Sequence, residues 1–582
     1  MSAARRVFSP TSSVGLIISR RARPCSTPSN FSLVTRTMAT EYKLKGLTGV
    51  DLKNGQKQEV EVEGIDQGKI LLAKLNNEVH ALSPKCTHYG APLVKGVLTP
   101  DGRLTCPWHG ACFKLATGDV EDAPALDPLA KFEVIQKDGG VYIKADESVV
   151  KASRRTLNFK CTPKGQEHVV VVGGGSGAVG AIEGLRANKF DGKITCISEE
   201  NGHLPIDRTK LSKALMTDAS ALQWRKPAFY EEGGVDMVHA SVSSIDFPGE
   251  KVQTKDGKQF TYTKLILASG GVARMLPLPG LKGDLKNVFP LRSIADVQNI
   301  MKAAGGEGGK KIVVIGSSFI GMEAGNALAG KKHHVTIVGM ESEPLERVMG
   351  AQVGSMFRKI LEKNGVTFHM NAQVQQGDAS SSGNGTIGSV SLKDGTSLPA
   401  DIVIEGVGIR PATDYLQNNP SITLEKDGSL AVDRRFAVPG LPHVYAIGDI
   451  ATYPYHGPDG DGHPVRIEHW NVAQNAGRRV AQTLTAPATA AAPPPFIPIF
   501  WSALGAQLRY CGHTPHGFDD VLVRGTTAVR DDANPSFVAY YTRANTVVAV
   551  ASMQRDPCVV QAAELMRVGR MLGKAGLLRG AD

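Results

Sequence analysis

Four residues pose the first chemical question. Cys86 and His88 stand two apart, Cys106 and His109 three apart, and 17 residues separate the two pairs. Each short run offers one thiolate and one imidazole. Two thiolates on one iron and two imidazoles on the other make the ligand set of a Rieske [2Fe–2S] centre. A structural zinc ion also takes two cysteines and two histidines. A zinc finger, however, pairs cysteine with cysteine and histidine with histidine around a helix. Here each run gives one of each within strand-like sequence, so the iron–sulfur reading is preferred. The flanks YGAP and HGAC carry glycines that let two loops approach a cluster closely. Cys112 has no evident partner and reads as a small buried hydrophobe.

Two glycine-rich turns follow. In the first, Gly173, Gly175, Ser176, Gly177 and Ala178 come after four valines and open a helical stretch. Such a turn brings a pyrophosphate to a helix N-terminus. Glu199 and Glu200 end the next apolar run about 25 residues on, where a carboxylate takes ribose hydroxyls. The second turn holds Gly316, Ser318 and Gly321, with Glu323 behind it. Ser318 replaces a middle glycine. Gly339 occupies the usual acid position and Glu341 comes two residues later, so NADH and NADPH are both open. Arg347 is a 2′-phosphate candidate, although a solvated surface charge is the plainer reading. Late in the chain Gly448 and Asp449 close the run VYAI, which suits a carboxylate near a ribityl–phosphate group. The flavin-type half has Cys161, Cys196, Cys511 and Cys558, with no two a few residues apart, so no thiol pair is placed to carry electrons away.

These residues need elements to hold them. VEVEGI, KILLAKL, EVHALS, KFEVIQ and GVYIKA predict a small all-β domain over 43–147. A polar linker is expected over 148–164. VVVVGGGSGAVGAIEGLRA and KKIVVIGSSFIGMEAGNALAG repeat a strand–turn–helix plan about 140 residues apart, an internal βαβ repeat. The plan divides as a first nucleotide domain over 165–300 and 426–484, with a second inserted at 301–425. A Pro/Ala linker covers 485–496. The tail, 497–582, has strands at FVAYYT and TVVAVASM and a helix at VVQAAELMRVGRML.

The chain of 582 residues is long enough for roughly three to four domains. Its net charge of +10 is uneven. Residues 1–40 contain no Asp or Glu but six arginines and many serines, as a mitochondrial transit peptide does. Met38 would start a cytosolic form. The remainder is only mildly basic and aromatics are 6%, so no nucleic-acid partner is expected. No apolar run approaches about 18 residues, so no membrane span is expected.

Two dinucleotide turns with the Gly448–Asp449 motif resemble the two-dinucleotide-binding-domain flavoproteins of glutathione-reductase fold. LPIDRTKLSK (204–213) is similar to a segment of oxygenase-coupled ferredoxin reductases and apoptosis-inducing factors. That resemblance implies FAD on the first turn and NADH or NADPH on the second. It places Arg208 and Lys213 at FAD, with Lys213 near the reactive ring, where an ammonium stabilises reduced flavin. Ala268 and Gly270, within LILASGG, match the crossing over FAD. Glu468 and Trp470, and Trp501 in FWS, match positions flanking the isoalloxazine. The Rieske part resembles oxygenase-type ferredoxins. Ala91 and Trp108 replace the extra cysteines of another Rieske type, and Ala111 replaces a serine. Fewer hydrogen bonds to sulfur imply a potential near the low end of the range, about −150 mV.

The domain order, with SALGAQLRYCGHTPHGFDDV in the tail, resembles apoptosis-inducing factor 3-like proteins over about 45–570. The implied architecture is an all-β Rieske domain, two doubly wound α/β domains and a small α/β C-terminal domain. The implied activity is an FAD oxidoreductase that passes electrons from NAD(P)H to its own cluster. An unknown one-electron acceptor, protein or small molecule, then takes them. Two alternatives share these residues: the reductase of a Rieske-type oxygenase system, and a slow-turnover redox-switched signalling flavoprotein. Oligomeric state is not legible.

Overall fold

The short alternating runs at the front become antiparallel strands. Residues 40–200, 202–306, 308–486, 496–530 and 535–580 are described by a computed structural model. One sheet has six strands in the order Thr40–Lys43, Gly140–Ala145, Lys131–Lys137, Glu78–Leu82, Lys69–Leu75, Lys57–Glu61. A second has four, Val97–Leu98, Arg103–Thr105, Cys112–Lys114 and Val120–Asp122. One metal-ligand loop follows Glu78–Leu82, and the other joins Arg103–Thr105 to Cys112–Lys114. Leu71, Leu82, Leu93, Leu104 and Phe113 pack a small core around Cys86 and Cys106.

The valine run enters a five-stranded parallel sheet, ordered Val235–His239, Lys193–Ser198, His168–Val172, Lys264–Leu267, Val444–Ala446. Val169 to Val172 are buried, as strands covered on both faces must be. The repeat builds a second parallel sheet, ordered Val288–Pro290, Ile402–Glu405, Lys311–Ile315, His334–Val338, Val366–His369. Five antiparallel strands from Ile499–Ala503 to Thr546–Met553 form the tail, with the helix Cys558–Arg567 across them.

Three expectations differ from the structure. The stretch read as a polar linker contains the helix Glu147–Ala152, capped by Asp146, and Phe159 is 3% exposed in the core of the first parallel sheet. Val288–Pro290 pairs with Ile402–Glu405, so the second sheet starts before residue 301. Three residues ending in proline are too few for a periodic signal. The last helix stops at Arg567, and Gly569, at φ +67°, precedes a separate turn of helix, Lys574–Leu578. The expected targeting segment, save Thr40, and most of the 485–496 linker lie outside the described residues. Among the described residues, no helix is long and apolar enough to cross a membrane.

Candidate redox site

The two ligand loops are built alike. Cys86 N donates to Ala91 O and Cys106 N to Ala111 O, each at 2.8 Å. Gly90 and Gly110 turn both loops at φ +77° and +73°, where a side chain would be strained. The loops bring Cys86 and Cys106, 3% and 1% exposed, into one buried cluster. The His88 and His109 rings meet edge-on, centroids 4.6 Å apart. His88 Nδ1 is buried with no protein partner. Burial pushes the His88 imidazole down to about 4 and His109 well below its usual range. Both are thus neutral, the form that binds metal.

Among the described residues, no three His, Cys, Asp or Glu side chains gather as one metal ion would require. Zinc would need all four ligands on a single ion. A Rieske centre needs only two per iron, with sulfides between the irons. The pairwise arrangement, the orphaned Nδ1 and the neutral imidazoles fit the cluster.

The Rieske part is clamped to the remainder at several points. Tyr89 stacks on His88, centroids 3.9 Å apart, and its hydroxyl donates to the buried Asp207 carboxylate. Arg225 bridges Asp127 and Glu183, each at 2.8 Å. Arg103 and Thr105 reach Glu564 of the last long helix, and Asp101 meets Arg567. His109 lies 5.2 Å from the Trp501 ring, and His88 lies 6.1 Å from Trp224. Burial is the main cause of the lowered His109 pKa, and the positive charges of Arg509 and Lys213 add to it.

The first nucleotide loop runs from Gly173 into the helix Ser176–Ala187, with Gly175 as N-cap. Gly173 has φ +109°, and a Cβ there would sit 2.2 Å from Ala268 O. Gly177 and Ala178 are buried against the run to Gly448 and the helix Trp470–Thr485. Gly270 and Gly448 both have positive φ, +71° and +74°. Asp449 accepts from Arg292 at 2.8 Å, and Arg208 donates to Arg292 O at 2.8 Å. Burial holds the Arg208 guanidinium down to about 10. Of the acidic pair, Glu200 contacts Arg208, whereas Glu199 is 74% exposed and reaches only Lys255 at 3.9 Å. Period-two alternation past the strand's end turns Glu199 away from the segment that its neighbour meets. Glu468 pairs with Arg466 at 2.6 Å, and its carboxyl is raised by burial. Trp470 begins its helix and stacks on Trp224 at 4.5 Å.

The second loop repeats this geometry. Gly316 has φ +110°, and a Cβ there would lie 2.4 Å from Gly406 O. Ser318 stands at the N-cap position of the helix Phe319–Gly330 without a side-chain capping bond, and a Cβ on Gly321 would reach 2.0 Å from Gly316 O. Glu341 accepts from Ser317 at 3.4 Å and pairs with the exposed Arg347 at 2.8 Å. Glu323, expected at the nucleotide, is 2% exposed and turned inward. It accepts from Ser212 at 2.5 Å, Ser502 at 2.6 Å and Lys213 at 3.0 Å. Its place in the helix sets it against the first nucleotide unit and the tail together, so it holds Lys213.

Sequence reasoning missed Trp224, Arg292, Tyr89, Asp207 and Arg225. Tyr89 and Asp207 lay within the runs YGAP and LPIDRTKLSK, and Arg292 lay just before the capping box of Ser293 and Asp296, whereas Trp224 and Arg225 had no local signal.

A profile of the pyridine nucleotide-disulphide oxidoreductase family matches residues 167–477, and one of the Rieske [2Fe-2S] domain matches 47–133. The chain is 38% identical over 532 residues to Apoptosis-inducing factor 3 of Mus musculus, covering 90% of this chain and 84% of that protein. It is 30% identical to the benzene 1,2-dioxygenase system ferredoxin--NAD(+) reductase subunit of Pseudomonas putida, covering 62% and 84%. The structure superposes on a covalent putidaredoxin reductase–putidaredoxin complex with TM-score 0.64 at 27% identity, covering 71% and 96%. The chain belongs to the pyridine nucleotide-disulphide oxidoreductase family, as an FAD- and NAD(P)H-dependent, apoptosis-inducing factor 3-like flavoprotein with a Rieske [2Fe–2S] domain ahead of it.

Proposed function

We propose that the protein takes electrons from NADH and delivers them singly, through its own Rieske centre, to an acceptor outside the chain. The carrying observation is that both ligand imidazoles face the flavoprotein, His88 toward Trp224 and His109 onto Trp501. When bound, FAD accepts a hydride pair and releases single electrons, and the cluster takes one at a time.

The residues divide the work. Gly173, Gly175, Ser176, Gly177 and Ala178 cradle the FAD pyrophosphate at the helix N-terminus. Glu200, in place of Glu199, takes its ribose, while Arg208, Ala268, Gly270, Gly448 and Asp449 line its path. Lys213 supplies a positive charge beside the flavin edge, held by Glu323 in a geometry that needs no rearrangement. Trp470, Trp501 and Glu468 close the site toward the cluster. Gly316, Ser318 and Gly321 receive the pyridine nucleotide. Glu341, turned to Ser317 and screening Arg347, favours a ribose diol over a 2′-phosphate, hence NADH. Cys86 and Cys106 hold one iron, His88 and His109 the other. The acid-free, arginine-rich N-terminus supports a mitochondrial setting.

The test is anaerobic addition of NADH or NADPH to holoprotein, followed by absorbance and low-temperature EPR. Flavin bleaching followed by a Rieske signal, faster with NADH, is the expected result. Bleaching with a cluster signal only after dithionite would overturn the internal route.

A further inference from the structure

Trp224 belongs to none of the motifs above. The chain has only four tryptophans. Trp108 sits in a ligand loop, and Trp501 touches His109. The other two form part of a ring column. Tyr89, His88, Trp224 and Trp470 follow one another at 3.9, 6.1 and 4.5 Å between centroids. Successive planes differ by 21°, 19° and 23°, so each ring is near-parallel to the next. One end is a cluster ligand stacked on Tyr89. The other end, Trp470, lies one turn before Ala473. Hypothetical Cβ atoms on Gly177 and Gly448 would come 3.5 and 3.3 Å from Ala473 atoms. The column therefore runs from the cluster ligand to the wall of the first nucleotide site.

Packing alone gives a poor account of these indoles. The Nε1 atoms of Trp224 and Trp470 are both buried with no hydrogen-bond partner. A buried indole N–H normally finds an acceptor, and leaving one unpaired costs about 1–3 kcal/mol. Both unpaired indoles therefore fall in the same stack, beside the cluster ligand His88. A second ring contact reaches the other ligand imidazole, but it is tilted rather than stacked. Among the described residues, Trp501 contacts no ring besides His109 and is tilted 56° to it.

We propose that Trp224 is the aromatic bridge through which electrons pass from the flavin side at Trp470 to His88 of the cluster. The proposal rests on the function proposed above. NADH supplies two electrons with one proton as hydride. Each passage oxidises the flavin by one electron and reduces the cluster by one. The cluster hands that electron to the acceptor before the second passage, and the proton leaves to solvent. Trp224 undergoes no net change.

The test uses holoprotein carrying Trp224→Leu or Trp224→Phe. Circular dichroism reads the stack without turnover: the paired-indole couplet of the wild type disappears in both variants. Stopped-flow absorbance follows flavin bleaching by NADH, and freeze-quench EPR follows the cluster. In Trp224→Leu cluster reduction slows by about tenfold or more while bleaching keeps the wild-type rate. Trp224→Phe, which retains a ring, stays within about threefold. Redox titration shows both potentials unchanged. Wild-type cluster reduction in the leucine variant, or equal slowing of both steps, would overturn the bridge. If the wild-type cluster takes no electrons from NADH, the functional reading itself fails and the bridge falls with it.

Discussion

The two nucleotide loops are one device built twice, yet they are closed differently. Each opens on a glycine near φ +110° pressed against a carbonyl of a crossing segment, Ala268 O in the first and Gly406 O in the second. Above the first loop the helix Ser176–Ala187 lies flat against Trp470–Thr485. Cβ atoms on Gly180 and Gly477 would come 2.0 and 2.2 Å from facing carbonyls, so only glycine allows this approach. Above the second loop no such clasp exists among the described residues. Ile320 and Met340, beside it, are 43% and 62% exposed. The first site is part of the core, as suits a resident cofactor. The second opens at the surface, as suits a nucleotide that arrives and leaves.

Removing the turn glycines should separate the two roles. Gly173→Ala and Gly316→Ala each force a Cβ against backbone at positive φ, costing about 3 kcal/mol in thermal or urea unfolding. The first variant should also lose bound flavin, while the second keeps it and shows a raised KM for NADH. Equal flavin retention in both would erase the distinction.

The Lys213–Glu323 pair ties the two units together, so it should break next. Glu323→Ala leaves a largely buried ammonium unpaired, an expected loss of about 3 kcal/mol. Glu323→Gln, which still accepts from Ser212 and Ser502, should lose less. A urea series on the two variants decides.

Glu405 gives the second unit its own pH dependence. Burial pushes this carboxyl to about 7, against an ordinary 4.5. Between those values the folded state holds a proton that the unfolded state has released. Stability therefore falls as pH rises from about 4.5 to 7 and is level above. Glu405→Gln should gain about 2 kcal/mol over the wild type at pH 8 and little at pH 4.5. A gain independent of pH would contradict this.

The smallest effect is expected at the second loop's rim. Arg347→Ala removes an exposed ion pair and should change stability by under about 0.5 kcal/mol. It should leave the KM for NADH near wild type, whereas Glu341→Gln should weaken the preference for NADH over NADPH. A large rise in the KM for NADH in the arginine variant would assign Arg347 to the nucleotide.

What was legible in the sequence was local. The Cys–His spacings, both glycine turns and the valine run signal their roles within a few residues, because turn geometry and strand burial are set there. Glu323 sat in the right motif, but its direction depends on Lys213 and Ser502, brought up from distant parts of the chain. Tyr89 meeting Asp207 and Trp224 meeting Trp470 leave no spacing signal, since chain reversals far apart create both contacts. Val288–Pro290 was unreadable for a similar reason: its identity as a strand comes from its partner, not from its own three residues.

The central claim is that electrons reach the cluster within one molecule. Its most direct test is the rate of cluster reduction after mixing holoprotein anaerobically with excess NADH, read by freeze-quench EPR over a hundredfold range of protein concentration. A rate constant independent of protein concentration is predicted. A rate that rises in proportion to concentration would show that flavin and cluster exchange electrons between molecules, and would contradict the account.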